Sequence, residues 1–304
     1  MHDLRPLAPD HAFPFPPEYE RNLQVLGNLC DFERRLWLQA SKVTPMPRFV
    51  YRYVGYEISE KYLSDYMLES YFYLNSVSDF NDPFDMGAYV TINPDPKKRS
   101  EKFNKILKEH RTDLNWKQRR KETSKMMRAP DQLPNIRAAY EKSIRDMGAV
   151  CFTTEPCNLL MWSHYASHHC GLALQFHAAN DIRTLSRLLK VNYSDEYPII
   201  DWVEDTKKTL ESVLTTKSRH WEYEKEFRIF VVDGAKTYLP FQPKALTGLI
   251  FGCRADLQLK ERVLNVLELR ASKNFSPLKI YQAVKHAREY SVSVQKDLSL
   301  KWPS

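Results

Sequence analysis

The chain has 304 residues, 43% of them hydrophobic and 12% aromatic, which is enough to build a sizeable core. No stretch approaches the roughly 20 apolar residues of a membrane span, and no basic-then-apolar leader opens the sequence, so we expect no membrane partner. The formal net charge of +7 is unevenly distributed, because residues 97–128 hold thirteen Lys and Arg against four acidic residues.

The cysteine and glycine content restricts the classes of function further. Five cysteines without CxxC spacing favour a reducing, cytoplasmic location and argue against a disulfide framework or a cysteine zinc site. Only eight glycines occur, and neither a dinucleotide GxGxxG motif nor a phosphate-binding loop is present. A bound nucleotide would therefore require another architecture.

The first predicted elements form an N-terminal arm. Five prolines make residues 1–17 irregular, and residues 18–42 have the spacing of an amphipathic helix that Pro45 and Pro47 end. We assign residues 1–47 to this proline-rich arm and helix.

Residues 48–147 are predicted to contain two strands and a basic helical insertion. RFVYRYVG (48–55) alternates with the period of a strand, and YFYLNSV (71–77) follows a helical stretch at 58–70. SDFNDPFD (78–85) has turn chemistry, because the residue before a proline is pushed out of the α region. The insertion, residues 97–147, is helical by pattern, and its basic part is either a solvated face or a surface for phosphates.

The second half alternates strands and helices of uneven length. Strands are predicted at 148–154, 171–176, 190–195, 221–230, 246–252 and 278–286, and helices at 158–170, 180–190, 202–218 and 260–271. The pattern lacks βαβ regularity and predicts an α+β fold with a mixed, mainly antiparallel sheet and helical insertions. We assign residues 48–290 to one catalytic-like α+β domain and residues 291–304 to a tail.

Arg52 is the first candidate site residue. Its neighbours on the same strand face are Val50 and Val54, so we expect the guanidinium to point inward, where it needs a partner. Its planar fork suits a carboxylate or a phosphate bidentately. A buried structural salt bridge and a ligand site both fit this position.

The segment CFTTEPCNLLMWSHYASHHCG (151–171) is the second candidate. On the predicted helix Trp162 and Tyr165 share one face, while His164 and His168 lie one turn apart. A His pair at this spacing can chelate zinc, but the signature also needs a Glu beside the first His, so we expect no metal.

The stretch WEYEKEFRIF (221–230) is the third candidate. If it is a strand, Glu222, Glu224, Glu226 and Arg228 all lie on one face. Neighbouring carboxylates push their pKa values apart, as acid–base chemistry requires. A solvated edge and a structural ion-pair ladder are the alternatives.

The motifs YRY, FNDPFD, CFTT…LLMWSHYASHHCGLALQF, VNYSD and K…WEYEKEFRIF occur in this order between about residues 51 and 252. Together they resemble a bacterial family, domain-of-unknown-function family 2971. This resemblance implies kinship rather than a particular activity.

The order of an early Arg, a hydroxyl-bearing strand in mid-chain and a later Glu-x-Glu is similar to the Arg–Ser–Glu class of ADP-ribosyltransferases. The resemblance implies that Arg52 holds the phosphates of NAD, Thr153 occupies the serine strand, Glu226 binds the nicotinamide ribose and Glu224 activates the acceptor. The mid-chain motif departs from that class, with Thr-Thr in place of Ser-Thr-Ser. Other assigned residues are Trp162, His164, Tyr165 and Arg228 for the cofactor, and Asn81, Asp82 and His168 for the substrate.

Three functions stay open from the sequence. The first is an ADP-ribosyltransferase-like enzyme that uses NAD to modify a macromolecule, as a bacterial toxin or antiphage effector. The second is a nucleic-acid hydrolase, and the third is a non-catalytic module that binds nucleic acid or protein. In each of them the basic segment 97–128 is available for an anionic macromolecule such as nucleic acid. The sequence does not predict the oligomeric state.

Overall fold

The computed structural model describes residues 46–128, 133–203 and 206–297. The predicted proline-rich segment and helix at 1–17 and 18–42 lie outside the described residues. The described part is an α+β fold built on one large sheet, which confirms the predicted class.

The strands are short, in keeping with a mixed fold. They are β1 (Phe49–Val54), β2 (Tyr71–Tyr73), β3 (Asn75–Ser76), β4 (Tyr89–Thr91), β5 (Gly148–Thr153), β6 (Leu172–His177), β7 (Leu189–Lys190), β8 (Asn192–Ser194), β9 (Ile199–Asp201), β10 (Thr216–Ser218), β11 (Glu226–Val231), β12 (Tyr238–Pro240), β13 (Leu246–Phe251), β14 (Lys279–Lys285) and β15 (Val292–Lys296).

The helices differ widely in length. They are α1 (Glu60–Ser64), which continues as a π-helical turn (Asp65–Glu69), α2 (Pro96–His110), α3 (Trp116–Arg128), α4 (Leu133–Arg145), α5 (Leu159–Tyr165), α6 (Ile182–Leu185), α7 (Thr206–Leu214) and α8 (Leu257–Ser272). Short 3-10 helices span Val77–Asp79, Ala178–Asp181, Arg219–Glu224 and Pro243–Ala245.

The large sheet has nine strands, in the order β15-β14-β13-β6-β1-β5-β11-β7, with β3 also paired to β5. Within it β13 and β14 run parallel, whereas the other pairs are antiparallel. Three two-stranded sheets lie beside it, and they pair β2 with β12, β8 with β10, and β4 with β9.

The side chains of β1 alternate between the two faces of the large sheet, as its sequence predicts. Val50 lies in the largest buried apolar cluster, and Arg52 shares its face. Tyr51 is paired with Thr153, which is in turn paired with Glu226, so these three residues form a row on the other face. The central strands therefore separate Arg52 from the face that carries Glu226.

The strand predicted over 221–230 begins only at Glu226. The preceding residues form the 3-10 helix Arg219–Glu224, and Lys225 has a left-handed backbone with φ 44° and ψ 51°. β5 ends at Thr153, which pairs with Glu226. The residues before Glu226 therefore have no residue of β5 to pair with. The prediction that all four charges share one strand face is therefore wrong for the first two glutamates.

The helix predicted over 158–170 is shorter than expected, because α5 ends at Tyr165. The chain then turns sharply and enters β6, which lies beside β1. The two segments approach each other so closely that a Cβ at Gly171 would lie 2.1 Å from the Val54 carbonyl oxygen. Three residues in the turn have positive φ angles: Ser167, His168 and His169. The predicted helical pair of His164 and His168 is therefore wrong.

Three other predicted boundaries also differ from the structure. Residues 292–296, assigned to a tail, form β15 and extend the sheet because their buried valines pack against its face. The strand predicted at 71–77 divides into β2 and β3, which pair with different strands. The helix predicted at 202–218 ends at Leu214, and β10 follows.

A candidate acid–base site

Five charged side chains meet on one face of the large sheet. We call them the ion cluster: Asp85, Lys217, Glu224, Glu226 and Arg228. Each side chain is at most 6% exposed. Three carboxylates and two cations leave the cluster with one excess negative charge when all five groups are ionised. Buried charge of this kind is tolerated only when it is paired and hydrogen-bonded.

Different elements bring these residues together. Glu226 and Arg228 are two residues apart on β11, so they point to the same face. Lys217 is the buried middle residue of β10. Glu224 ends the 3-10 helix before β11, and the left-handed residue that follows turns the chain into the strand. Asp85 comes from the turn that the sequence predicts at 78–85.

Arg228 is the centre of the paired part of the cluster. Its side chain is fully buried, and it donates to Glu226 from Nε at 2.7 Å and from Nη2 at 2.8 Å. It also donates to Asp85 from Nη1 at 3.0 Å and from Nη2 at 2.6 Å. A guanidinium offers such paired bonds because its donors are planar and rigid.

Lys217 is shared among the three carboxylates. Its Nζ lies 2.6 Å from Glu224 Oε2, 3.2 Å from Glu226 Oε2 and 3.7 Å from Asp85 Oδ2. Burial alone would lower the pKa of Lys217, but the negative charges of Glu226 and Glu224 overcome this effect and raise the pKa. Lys217 therefore stays protonated near neutral pH.

The two glutamates have opposite shifts of pKa. Burial alone would raise the pKa of Glu226, but the charges of Arg228 and Lys217 lower it to about 2. Burial raises the pKa of Glu224, and Lys217 offsets this effect only in part. Glu224 is the carboxylate with the least cationic compensation, since Arg228 serves the other two. Carboxylates with divergent pKa values can divide the roles of proton acceptor and fixed anion.

Tyr165 connects Glu224 to the outside of the cluster. Its hydroxyl donates to Glu224 Oε1 at 2.5 Å and accepts from Asn81 Nδ2 at 3.4 Å. Burial raises the pKa of Tyr165, and the nearby negative charge of Glu224 adds to the effect, so the phenol stays a donor. Asn81 is exposed, and Tyr165 is half-buried.

Four aromatic rings lie together beside the ion cluster, and Tyr165, which binds Glu224, is one of them. We call them the aromatic rim: His164, Tyr165, Trp221 and Tyr223. The imidazole of His164 lies 6.3 Å from each of the other three ring centroids. Trp221 and Tyr223 are 6.0 Å apart, and Lys217 Nζ lies 4.9 Å from the centroid of Trp221. His164 is exposed and the other three are half-buried, so the rim is the part of the site that solvent reaches.

The structure does not bring Arg52 to this site. Its Nε donates to the Tyr66 hydroxyl at 2.6 Å, and its Nη1 donates to the Cys151 carbonyl at 2.9 Å. The guanidinium lies on the opposite face of the sheet from Glu226. Of the two alternatives given for Arg52, a salt bridge to the acidic residues of β11 is absent, because successive side chains of β1 alternate between faces and Arg52 lies on the other one.

Two residues assigned to cofactor binding have structural partners instead. Trp162 is fully buried, its Nε1 donates to the Pro156 carbonyl at 2.9 Å, and its ring stacks on His169. It therefore has no free face for a ligand. Thr153 is buried, and its hydroxyl donates to the Glu224 carbonyl at 2.5 Å and accepts from the Glu155 amide. Thr153 thus fixes the end of the 3-10 helix.

Two residues assigned to the substrate have side-chain or backbone partners other than the charged groups of the ion cluster. Asp82 is buried and accepts from the Phe84 amide at 2.9 Å, which stabilises the turn. His168 lies in the left-handed turn, where its carbonyl accepts from Arg254. Asn81, in contrast, reaches Tyr165 as described above.

Sequence reasoning missed three residues of the site. The sequence pattern places Asp85 in a turn and Lys217 in a helix, although the motif K…WEYEKEFRIF includes this lysine. Tyr193, in the motif VNYSD, accepts from the Glu226 amide at 2.9 Å. Their positions in the motifs that carry the family resemblance are the available signal, but no periodicity connects them to β11.

The described residues contain no group of three or more His, Cys, Asp and Glu side chains arranged to hold a metal ion. The three carboxylates of the ion cluster are instead bridged by Lys217 and Arg228. The cations occupy the position that a divalent ion would need between the carboxylate oxygens.

A family model matches the segment that carries most of this site. The model is described as Protein of unknown function (DUF2971), and it matches residues 161–229. This segment contains four of the five residues of the ion cluster and the whole aromatic rim. The match supports the resemblance to that family over this part of the chain. No curated protein and no solved structure matches the chain.

None of the described helices combines the length and the apolar composition that crossing a bilayer requires.

Proposed function

We propose that the protein is an ADP-ribosyltransferase-like enzyme that uses NAD to modify a macromolecule, with Glu224 as its reactive carboxylate. One observation carries the proposal: Glu224 has the least cationic compensation in the ion cluster, and it accepts a hydrogen bond from Tyr165, which belongs to a group of neighbouring aromatic rings. The proposal differs from the mapping implied by sequence resemblance, because Arg52 takes no part in holding phosphates.

The chemistry of NAD suits a site with excess negative charge and aromatic rings. The nicotinamide ring of NAD is planar and positively charged, so it favours the faces of Tyr223 or Trp221 and the neighbourhood of a carboxylate. When the bond from ribose C1′ to the nicotinamide nitrogen breaks, its electron pair leaves with neutral nicotinamide. The ribose becomes cationic, and a nearby carboxylate stabilises that cation.

Glu224 and Glu226 have separate roles in this proposal. A nucleophile of the acceptor forms the new bond to C1′ and gives its proton to Glu224, whose raised pKa suits a proton acceptor. Glu226, with a pKa of about 2, stays ionised and holds Lys217 and Arg228 in place. Tyr165 orients Glu224 through its hydroxyl.

The direct test uses NAD labelled in the adenylate group, incubated with the protein and a cell lysate. We expect release of nicotinamide and transfer of label to protein or nucleic acid. Glu224→Gln should reduce both by about 100-fold or more, in the range of a lost acid–base group. Glu222→Gln is the matched control, since Glu222 is exposed on the same 3-10 helix.

Two results would contradict the proposal. The first is the absence of nicotinamide release by the unmodified protein. The second is full activity in a Glu224→Gln protein whose thermal unfolding remains cooperative.

The basic helices supply the second part of the proposal, an anionic acceptor. Ten of the thirteen Lys and Arg in residues 97–128 are exposed, and α2 and α3, which carry most of them, pack against each other. Exposed cations at this density attract phosphates, so we propose nucleic acid as the macromolecule that this surface binds. We further propose that such an enzyme acts in the cytoplasm as a toxin or antiphage effector.

A further inference from the structure

Cys170 precedes β6 and Cys253 follows β13. The two cysteines lie opposite each other, where backbone pairing continues beyond both strands. Phe251 is paired with Leu172, and two backbone hydrogen bonds continue the pairing. The Gly252 amide donates to the Gly171 carbonyl at 2.9 Å. The Arg254 amide donates to the His169 carbonyl at 3.0 Å. Between these two bonds, Cys170 and Cys253 occupy directly opposite positions.

The register makes this a non-hydrogen-bonded pair of an antiparallel ladder. In such a pair the Cα atoms are about 4.5 Å apart and the side chains approach closely. A disulfide needs Cα atoms about 4.4–6.8 Å apart, and the spacing of such a pair falls within this range. Both thiols are free and half-exposed, so a small oxidant can reach them.

We propose that Cys170 and Cys253 form a reversible cross-strand disulfide when the chain meets a low-molecular-weight disulfide such as oxidised glutathione. One thiolate attacks the glutathione disulfide, and a protein–glutathione mixed disulfide forms as reduced glutathione leaves. The second cysteine then attacks the protein sulfur and releases the other glutathione. Two electrons pass to the oxidant, and the protein loses two hydrogen atoms.

The consequence of this bond lies in the turn between α5 and β6. Ser167, His168 and His169 have left-handed backbones there, and the contacts that fix the turn are noncovalent: backbone hydrogen bonds and the stacking of His169 on Trp162. A covalent bond from Cys170 to the strand end after β13 restricts the unfolded chain and the local opening of this turn. The turn follows Tyr165 directly in the chain. Local opening of the turn therefore takes place next to Tyr165.

The test is peptide mapping of the full-length protein after treatment with oxidised glutathione. We expect one cross-linked peptide pair that contains Cys170 and Cys253, with a mass lower by two hydrogens and restored by dithiothreitol. Cys170→Ser should abolish the link and leave a glutathione adduct on Cys253. Cys157→Ser is the matched control and should leave the link intact, because Cys157 lies in a different segment.

Thermal unfolding provides the second readout. Oxidation should raise the Tm of the unmodified protein by about 4 °C or more, and it should not change the Tm of Cys170→Ser. Separate glutathione adducts on both cysteines without a link, no reaction of either cysteine, or a link from either one to another cysteine such as Cys30, would each overturn the proposal.

Discussion

Arg228 holds Asp85 through two hydrogen bonds, at 3.0 Å and 2.6 Å, although the two residues lie on opposite sides of the basic helical insertion in the chain. Arg228 also holds Glu226 through two further bonds. The guanidinium is fully buried and is satisfied by these two carboxylates, whose other cationic partner within residues 46–128, 133–203 and 206–297 is Lys217. The geometry of the site therefore depends on Arg228, while the reactivity that we propose depends on Glu224.

Removal of Arg228 should destabilise the fold strongly. Arg228→Leu leaves Asp85 and Glu226 buried with a single shared cation, so we expect the free energy of unfolding to fall by about 3–5 kcal/mol. Arg219→Leu is the control, because the Arg219–Asp195 pair is exposed and should be worth at most about 1 kcal/mol. Urea unfolding measures both. A similar cost for the two variants would contradict the central role of Arg228.

The lowered pKa of Glu226 makes the free energy of unfolding depend on pH in the acidic range. The pKa of Glu226 falls from 4.5 in the unfolded chain to about 2 in the folded chain. Its carboxylate therefore makes its full contribution to the free energy of unfolding above pH 4.5. The contribution is lost as the pH falls from 4.5 toward 2, and it amounts to something on the order of 3 kcal/mol. Urea unfolding between pH 7 and pH 3 should show a smaller loss of stability for Glu226→Gln.

The raised pKa of Glu224 should have the opposite effect on the pH dependence of stability. The folded chain holds the Glu224 proton more tightly than the unfolded chain, so ionisation of Glu224 lowers stability as the pH rises above 4.5. Glu224→Gln removes this loss. Relative to the unmodified protein, the variant should therefore gain more stability at neutral pH than at pH 4. An identical pH dependence of unfolding in the two Gln variants would contradict the divergent pKa values.

Tyr165 should set the acid limb of the pH–rate profile. Its hydroxyl stabilises the ionised form of Glu224, so Tyr165→Phe should raise the pKa of Glu224 further. We expect the acid limb of nicotinamide release to move to higher pH and the rate to fall by about 10-fold. Tyr71→Phe, an exposed tyrosine on β2, is the control. An unmoved acid limb would show that Tyr165 does not act through Glu224.

Arg52 should matter for stability and little for catalysis. Arg52→Leu loses hydrogen bonds to Tyr66 and to the Cys151 carbonyl, so we expect a cost of about 1–3 kcal/mol in unfolding. The rate of NAD cleavage should stay within about 3-fold, because Arg52 touches no residue of the ion cluster. A folded Arg52→Leu protein with a 100-fold lower rate would restore the role in phosphate binding that the resemblance implies.

The basic helices should control nucleic-acid affinity. Lys108→Glu with Arg120→Glu changes one exposed charge on each of α2 and α3, and it should weaken binding and lower the slope of log K against log salt by about 1 per lost phosphate contact. Lys244→Glu with Lys279→Glu makes the same charge change elsewhere on the exposed surface. Equal effects of the two double variants in a salt titration would contradict a specific surface.

Local patterns in the sequence predicted most of the regular elements. The alternation in RFVYRYVG predicted β1 and the two faces of its side chains, and the apolar run at 246–252 predicted the buried strand β13. These predictions succeeded because the period of a strand is a local property of the chain. The segment after Tyr165 failed as a helix because tight packing against β1, which no local pattern records, reverses the chain there.

The candidate site shows the limit of the same reasoning. The sequence by itself determined the α+β class, the basic helical segment and the charged residues Glu224, Glu226 and Arg228. Only the tertiary structure decided that Lys217 and Asp85 complete the ion cluster and that Arg52 lies on the other face of the sheet. The physical reason is that charge pairing acts through space, and the pairing of β5 with β1 and β11 sets which side chains share a face.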